Sequence, residues 1–387
     1  MATKVAVVGI GMTENKSRWD LSLPGLYRLA YQRALEDCGL KSEDIDAVAF
    51  GHSPEYFEGV NHPEKWCGEA VGALNKPLFR VHTGGTVGGS VAIAAYYLVA
   101  SGKFEVVLAI SGNKLNETSS AQIGLSTVYD PIMGRQFAAG APSAVAVQAS
   151  KYYSQYGYNE DHGLMVAVKN RNNALKNPYA QLRIPDYTLE GARNTPMLCH
   201  PLRLADMCPT SDAACAMIFA AEHRVEAITD NPAWVLSAVA VNEGINYVDR
   251  DWSKPIGLRK AAELAYERAG IKDPRRELDV VEVYDAFSVQ ELIWYEGLKL
   301  CDWGEGGRLM ESGATRMEGD IPVNPSGGTL CANSIGASAM FRKAEAALQV
   351  MGRAGEHQIP GVRRALGHGW GGGIQFHTIM IFGKDKP

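Results

Sequence analysis

Tyr284 follows the apolar run Val280–Val283, so it is expected at the C-terminal end of a strand, where open α/β sheets place ligands. Its phenol can donate a hydrogen bond to a developing oxyanion or, once deprotonated, take a hydroxyl proton. The ordinary role of a buried tyrosine is packing with a satisfied hydroxyl. Asn333 can donate an amide N–H to a carbonyl or thioester oxygen but cannot act as a base; its ordinary role is loop capping. Cys331, two residues earlier, is the thiol nearest to it in sequence and could be a nucleophile, although free cysteines are usually small buried hydrophobes. Gly85 opens Gly85-Thr86-Val87-Gly88-Gly89-Ser90, where backbone N–H groups at a helix start can face an anion or enolate. Tight helix packing is the plainer reading of the same glycines. Gly371-Gly372-Gly373 offers similar N–H groups, and His368 could shuttle protons near neutral pH or be structural. His82 could hold the glycine loop, and Asp285 reads as a brace.

These residues need elements to position them. Ala30, Ala34, Gly39 and Leu40 lead into Asp46–Phe50; Ala261, Ala265, Gly270 and Ile271 lead into Asp279–Val283. Each copy reads as an amphipathic helix, a glycine C-cap, a polar loop and a buried strand. Gly88–Ile93 and Gly336–Phe341 form a weaker second pair of small-residue helix starts. Two copies predict a two-fold pseudo-symmetric fold. Short apolar strands alternating with helices predict α/β architecture with helices on both sheet faces. Residues 115–207 read as an inserted lid or binding subdomain, or as an elaboration at a subunit interface.

The 387 residues are 46% hydrophobic and 21% charged, with a formal net charge of −5. No long basic run exists, which argues against a nucleic-acid partner. No apolar stretch is long enough to span a membrane, and the N-terminus lacks the pattern of a signal peptide. Seven scattered cysteines with no CxxC pair suit a reducing cytoplasm and give no zinc site. Neither GxxxxGK[ST] nor a full GxGxxG is present, so nucleotide-cofactor binding is unsupported.

Longer stretches carry a family resemblance. Lys169–Ala174 with Asn177–Gln181, Leu204–Ala213, Val323–Gly328 and Gly369–Gly373 resemble, in order, motifs of sterol-carrier-protein-X-type thiolases. The resemblance spans nearly the whole chain. It implies a five-layer α-β-α-β-α fold of two βαβαβαββ halves, 1–240 and 241–387, with 115–207 as the inserted loop domain. It also implies a homodimer core and a CoA thioester as substrate, lying against the insertion, with no tightly bound cofactor. The family's nucleophilic Cys falls at Gly85, its Gly-His-Pro histidine at Asn333, and its oxyanion-hole motif residue at Tyr284. Thus these three chemical groups differ, while the glycine and proline framework is kept.

A similar replacement marks the thiolase-like aldolases that cleave steroid side chains, which the chain resembles in His82-Thr83-Gly84-Gly85 and Tyr284-Asp285-Ala286-Phe287. They cleave β-hydroxyacyl-CoA by retro-aldol chemistry with a small zinc-finger/OB-fold partner. Two-subunit thiolases of aromatic degradation also use such a partner. Three expectations follow: a retro-aldol lyase of a degradative β-oxidation-type pathway; a thiolase (acyltransferase) of unusual mechanism cleaving β-ketoacyl-CoA with free CoA; or a scaffold subunit without catalysis.

Overall fold

The computed structural model describes residues 3–132, 134–136, 140–244 and 249–387. Its strands are β1 Val5–Met12, β2 Ala47–His52, β3 Leu78–Val81, β4 Val106–Lys114, β5 Met197–Cys199, β6 Leu202–Arg203, β7 Asp212–Ala221, β8 Ala233–Asn242, β9 Val280–Glu282, β10 Arg364–Gly371 and β11 Phe376–Gly383. β5 and β6 form a separate hairpin; the rest join in the order β3-β2-β4-β7-β1-β8-β11-β10-β9.

This order is the duplication made visible. β2 runs parallel to β4, as β9 does to β10; β4–β7 and β10–β11 are antiparallel. The halves meet where β1 pairs with β8, at Ala6–Trp234 and Val7–Ala233. A parallel bridge from Val281 to Val323 stands where β3 flanks β2 in the first half. The acidic residues of the two sequence copies play one role. Asp46 accepts from the N–H groups of Glu105 and Val106 at 2.7 and 2.9 Å. Asp279 accepts from those of Arg363 and Arg364, both at 2.8 Å.

The helices Leu23–Cys38 and Ile256–Ala269 end at Gly39 and Gly270, with φ of 70° and 68°, where a residue with a Cβ is strained. They cover the outer faces of the two half-sheets. Between the half-sheets lie the helices Val87–Ala100 and Ser338–Met351, packed on each other and on strands of both halves. The small residues permit this: a β-carbon on Gly88 would stand 2.8 Å from the Met340 nitrogen and 2.9 Å from the Gly336 oxygen. Two outer helix layers, two half-sheets and the shared middle layer make the expected five-layer α/β fold. The helix after Gly85 packs on its counterpart within the same chain.

The long segment between β4 and β7 carries the helices Ala141–Tyr156 and Glu160–Ala174, which pack on the buried helix Ser288–Gly297. The Lys169–Asn177 signature is the tie. Lys169 pairs with buried Glu291 and donates to the Val323 carbonyl at 2.9 Å. Asn170 donates to Asp285 and Glu291, both at 2.7 Å; Asn173 and Asn177 donate to the carbonyls of Asn324 and Ser326, both at 3.0 Å. A recognisable motif thus holds the loop beside Tyr284. Among the described residues no helix is long and apolar enough to cross a membrane.

Candidate active site

Tyr284 lies just past β9 and is 3% exposed. Its carbonyl accepts from two indole N–H groups, Trp370 at 2.8 Å and Trp294 at 2.9 Å. Its ring lies 5.4 Å from that of Trp370, tilted by 33°. Asp285 anchors the next position, accepting from the Thr329 N–H at 2.6 Å and from Asn170. Backbone and ring are therefore fixed, and the hydroxyl is the adjustable part.

That hydroxyl donates to Asn333 Oδ1 at 3.1 Å. Asn333 is held from every side. Its N–H donates to Ser211 Oγ at 3.0 Å and its carbonyl accepts from the Ser211 N–H at 2.9 Å. Oδ1 also accepts from the Ile335 N–H at 3.2 Å and from Ser338 Oγ at 2.8 Å. A backbone N–H can only donate, so the amide orientation follows: oxygen toward Ile335, nitrogen toward the cavity. Nδ2 donates to Cys208 Sγ at 3.0 Å. Ile335 has φ of 38°, a costly conformation for a β-branched residue, and it lines the cavity beside Asn333.

Gly85 lies opposite. The Gly84–Val87 turn closes by a 2.9 Å bond from the Val87 N–H to the Gly84 carbonyl. The C-terminal glycine loop seats on it: a β-carbon on Gly371 would stand 2.4 Å from the Thr86 nitrogen. Gly85 itself is not so confined. A β-carbon there would find Trp370 O at 3.4 Å, Gly371 Cα at 3.6 Å and Tyr284 Cε1 at 3.9 Å, all ordinary contacts.

Gly85, Cys208, Tyr284, Asn333, Trp370 and Gly371–Gly373 line one cavity of about 140 Å³, walled on the other side by the inserted segment. Sequence reasoning selected Gly85, Tyr284, Asn333 and the glycine loop, and the structure brings them together. Two other selections lie outside the lining. Cys331 is fully buried and outside the lining; its carbonyl accepts from the N–H groups of Gln181 and Leu182 at 3.0 and 2.9 Å, and burial pushes its thiol up to about 12. His368 is also fully buried, stacked 5.6 Å from His377, with Nε2 3.3 Å from His377 Nδ1. Burial, His377 and Lys343 hold its pKa well below the usual histidine range. It lies outside the cavity lining. His82 is also outside the lining, with Nε2 3.5 Å from Glu55.

The thiol at the cavity is Cys208, which sequence reasoning missed. The Cys208 N–H bonds to the Ala286 carbonyl at 3.0 Å, which sets it beside the Tyr284 loop. Burial pushes its thiol up to about 12. Burial, then Cys208, likewise raise the Tyr284 pKa far above the ordinary phenol value. In this arrangement the Tyr284 hydroxyl acts as a hydrogen-bond donor to Asn333. Among the described residues no His/Cys/Asp/Glu group could hold a metal ion.

The family described as "Thiolase C-terminal domain-like" matches residues 240–384. The acetyl-CoA acetyltransferase of Methanothermobacter thermautotrophicus is 32% identical, over 98% of this chain and 99% of that protein. The chain belongs to the thiolase family. It is a thiolase-family acyl-CoA enzyme of the sterol-carrier-protein-X type. Sterol carrier protein 2 of Gallus gallus is 29% identical over 99% of this chain and 72% of that protein. Among solved structures, one described as "Ltp2-ChsH2(DUF35) aldolase" superposes with a TM-score of 0.85 at 24% identity, covering 100% of this chain and 99% of that one. Human mitochondrial 3-ketoacyl-CoA thiolase superposes at 0.76 and 16% identity, covering 99% of both chains. At these identities the two structures speak for the fold.

Proposed function

We propose that this enzyme cleaves a β-hydroxyacyl-CoA by a retro-aldol reaction. The observation that carries the reading is the pairing of Gly85 with Tyr284. The position of the family's nucleophile bears no side chain, and the open space before it faces a neutral phenol. No covalent acyl-enzyme can form at Gly85, whereas a substrate can approach Tyr284 closely there.

In this reading the thioester oxygen takes the place of Asn333 Oδ1 as acceptor of the Tyr284 proton. The exchange is easy because Oδ1 already accepts from Ile335 and Ser338 as well. Breaking the Cα–Cβ bond moves its electron pair into the thioester, and the phenol stabilises the enolate oxygen. The backbone N–H groups of the Gly85 turn give further donors. The described lining residues include no carboxylate or imidazole, so the β-hydroxyl proton goes to water or to a group brought by a partner, and the enolate Cα takes a proton from the same source to give the shortened acyl-CoA. The aldolase description of the 0.85 superposition supports the same reaction.

Thiolytic cleavage of a β-ketoacyl-CoA is the second reading. It is favoured by Cys208 at the cavity and by the acetyltransferase relative. Mass spectrometry of the intact protein, quenched during turnover, separates the two. The lyase carries no acyl adduct; an adduct on Cys208 overturns the lyase reading.

For assembly, the proposal is a homodimer core joined by a small partner of the DUF35 type, the kind printed for the superposed aldolase. β3 is an end strand of the nine-stranded sheet, with Phe79 exposed on it, an edge suited to pairing with a second copy. Light scattering of the purified chain at micromolar concentration tests the dimer; a monomer contradicts it.

A further inference from the structure

We infer that the cavity selects CoA thioesters whose acyl group is uncharged along its length, and rejects acyl groups that end in a carboxylate. This deepens the proposed function and rests on its placing of the acyl group in the cavity.

The wall is supplied by Leu115, Leu125, Val145, Phe287, Ile335 and Ile374. None of the described lining residues is Asp, Glu, Lys, Arg or His. Several polar lining groups are engaged within the protein. Gln122 Oε1 accepts from the Ala141 N–H at 3.0 Å, and Thr210 Oγ1 donates to Asn116 at 3.0 Å. Tyr284, Asn333 and Cys208 bond to one another at the reacting end.

Arg135, exposed in the inserted segment, donates to the Thr127 carbonyl at 3.4 Å and is not in the lining, and two further guanidinium groups beside the wall are engaged. Arg171 donates to the carbonyls of Ala205 at 2.6 Å and Met207 at 3.4 Å. Arg250 donates to the Gly373 carbonyl at 2.6 Å and lies 3.4 Å from Glu243. Neither lines the cavity. A carboxylate at the far end of an acyl chain would lose its water and meet no cation among the described lining residues. An unpaired buried charge is far costlier than an apolar contact. A methyl or ring at the same place gains burial instead.

The test is equilibrium binding by the purified full-length chain at pH 7.5. The probes are octanoyl-CoA, the CoA monothioester of octanedioic acid, and CoA alone. None requires turnover. Octanoyl-CoA is expected to bind at least about tenfold tighter than CoA, and the carboxylate-ended thioester no tighter than CoA, a gap on the order of 10- to 100-fold. Leu125→Arg should narrow that gap by strengthening binding of the carboxylate-ended thioester. Equal binding of the two thioesters by the wild-type chain overturns the inference. If neither binds more tightly than CoA, the placing of the acyl group fails and takes the inference with it. Selective binding without cleavage of any β-hydroxyacyl-CoA leaves the selectivity standing and sinks the lyase reading alone.

Discussion

A β-carbon built on Gly85 would stand 3.9 Å from Cε1 of Tyr284. Gly85 is therefore directed at the cavity phenol whose hydroxyl is held by Asn333. A position without a side chain thus faces a donor and its acceptor across a gap.

Tyr284→Phe keeps the ring against Trp370 and the carbonyl on both indoles, and removes only the donor. Turnover of a β-hydroxyacyl-CoA should fall roughly 10²–10³-fold, the cost of losing one oxyanion donor. Stability should change by about 1 kcal/mol, since one neutral hydrogen bond is lost. Steady-state kinetics alongside urea unfolding checks both; near-wild-type kcat would remove Tyr284 from the mechanism.

Gly85→Cys should fold. Gly85 is not among the positive-φ glycines, and the nearest atom to the new β-carbon is 3.4 Å away. The thiol would fill the space before Tyr284, so lyase turnover should drop while Tm stays within a few degrees. A collapse in Tm would show that the glycine is needed for packing.

The two thiols should behave differently. Cys331→Ala removes a buried side chain outside the cavity and should leave turnover close to wild type while costing roughly 1 kcal/mol of stability. Cys208→Ala takes away the acceptor of the Asn333 amide and should lower kcat several-fold, with Cys208→Ser restoring part of it. Loss of all activity in Cys331→Ala, with none in Cys208→Ala, would reverse this assignment.

His368 and His377 give stability a definite pH dependence. Burial holds His377 down to about 3 and His368 well below its usual value, whereas both titrate near 6.5 once unfolded. The unfolded chain therefore binds protons that the folded chain does not as pH falls below about 6.5. Their contribution is fully present above that pH. It declines at up to about 1.4 kcal/mol per pH unit for each histidine as pH falls toward the folded values. Urea midpoints of the wild type and of His377→Asn between pH 4.5 and 7.5 should diverge, the wild type falling more steeply. Parallel curves would contradict the buried neutral pair.

The fold was legible because its repeated parts depend on local rules. Gly39 and Gly270 end equivalent helices, Asp46 and Asp279 cap equivalent strand starts, and the small residues at Gly88 and Gly336 mark the two middle helices. Tyr284 and Asn333 were legible as motif positions, though their contact was not. Cys331 misled because nearness in sequence is not direction: the short turn Thr329–Cys331 points it inward. Cys208, 125 residues from Asn333, reaches the amide only through the pairing of Met207 with Phe287. His368 and Trp370 lie on the same side of β10, since side chains alternate along a strand. One pleat separates them, so Trp370 reaches the cavity wall while His368 stays in the core.

The central claim, carbon–carbon cleavage without an acyl-enzyme, is tested most directly by a mass balance. The purified enzyme, with its partner if one co-purifies, is given a β-hydroxyacyl-CoA in the absence of free CoA, and separately a β-ketoacyl-CoA with and without it. The account predicts that the β-hydroxy substrate yields a carbonyl compound and a shortened acyl-CoA in equal amounts with no free CoA added. Cleavage of the β-ketoacyl-CoA alone, dependent on free CoA and abolished by Cys208→Ala, would contradict it.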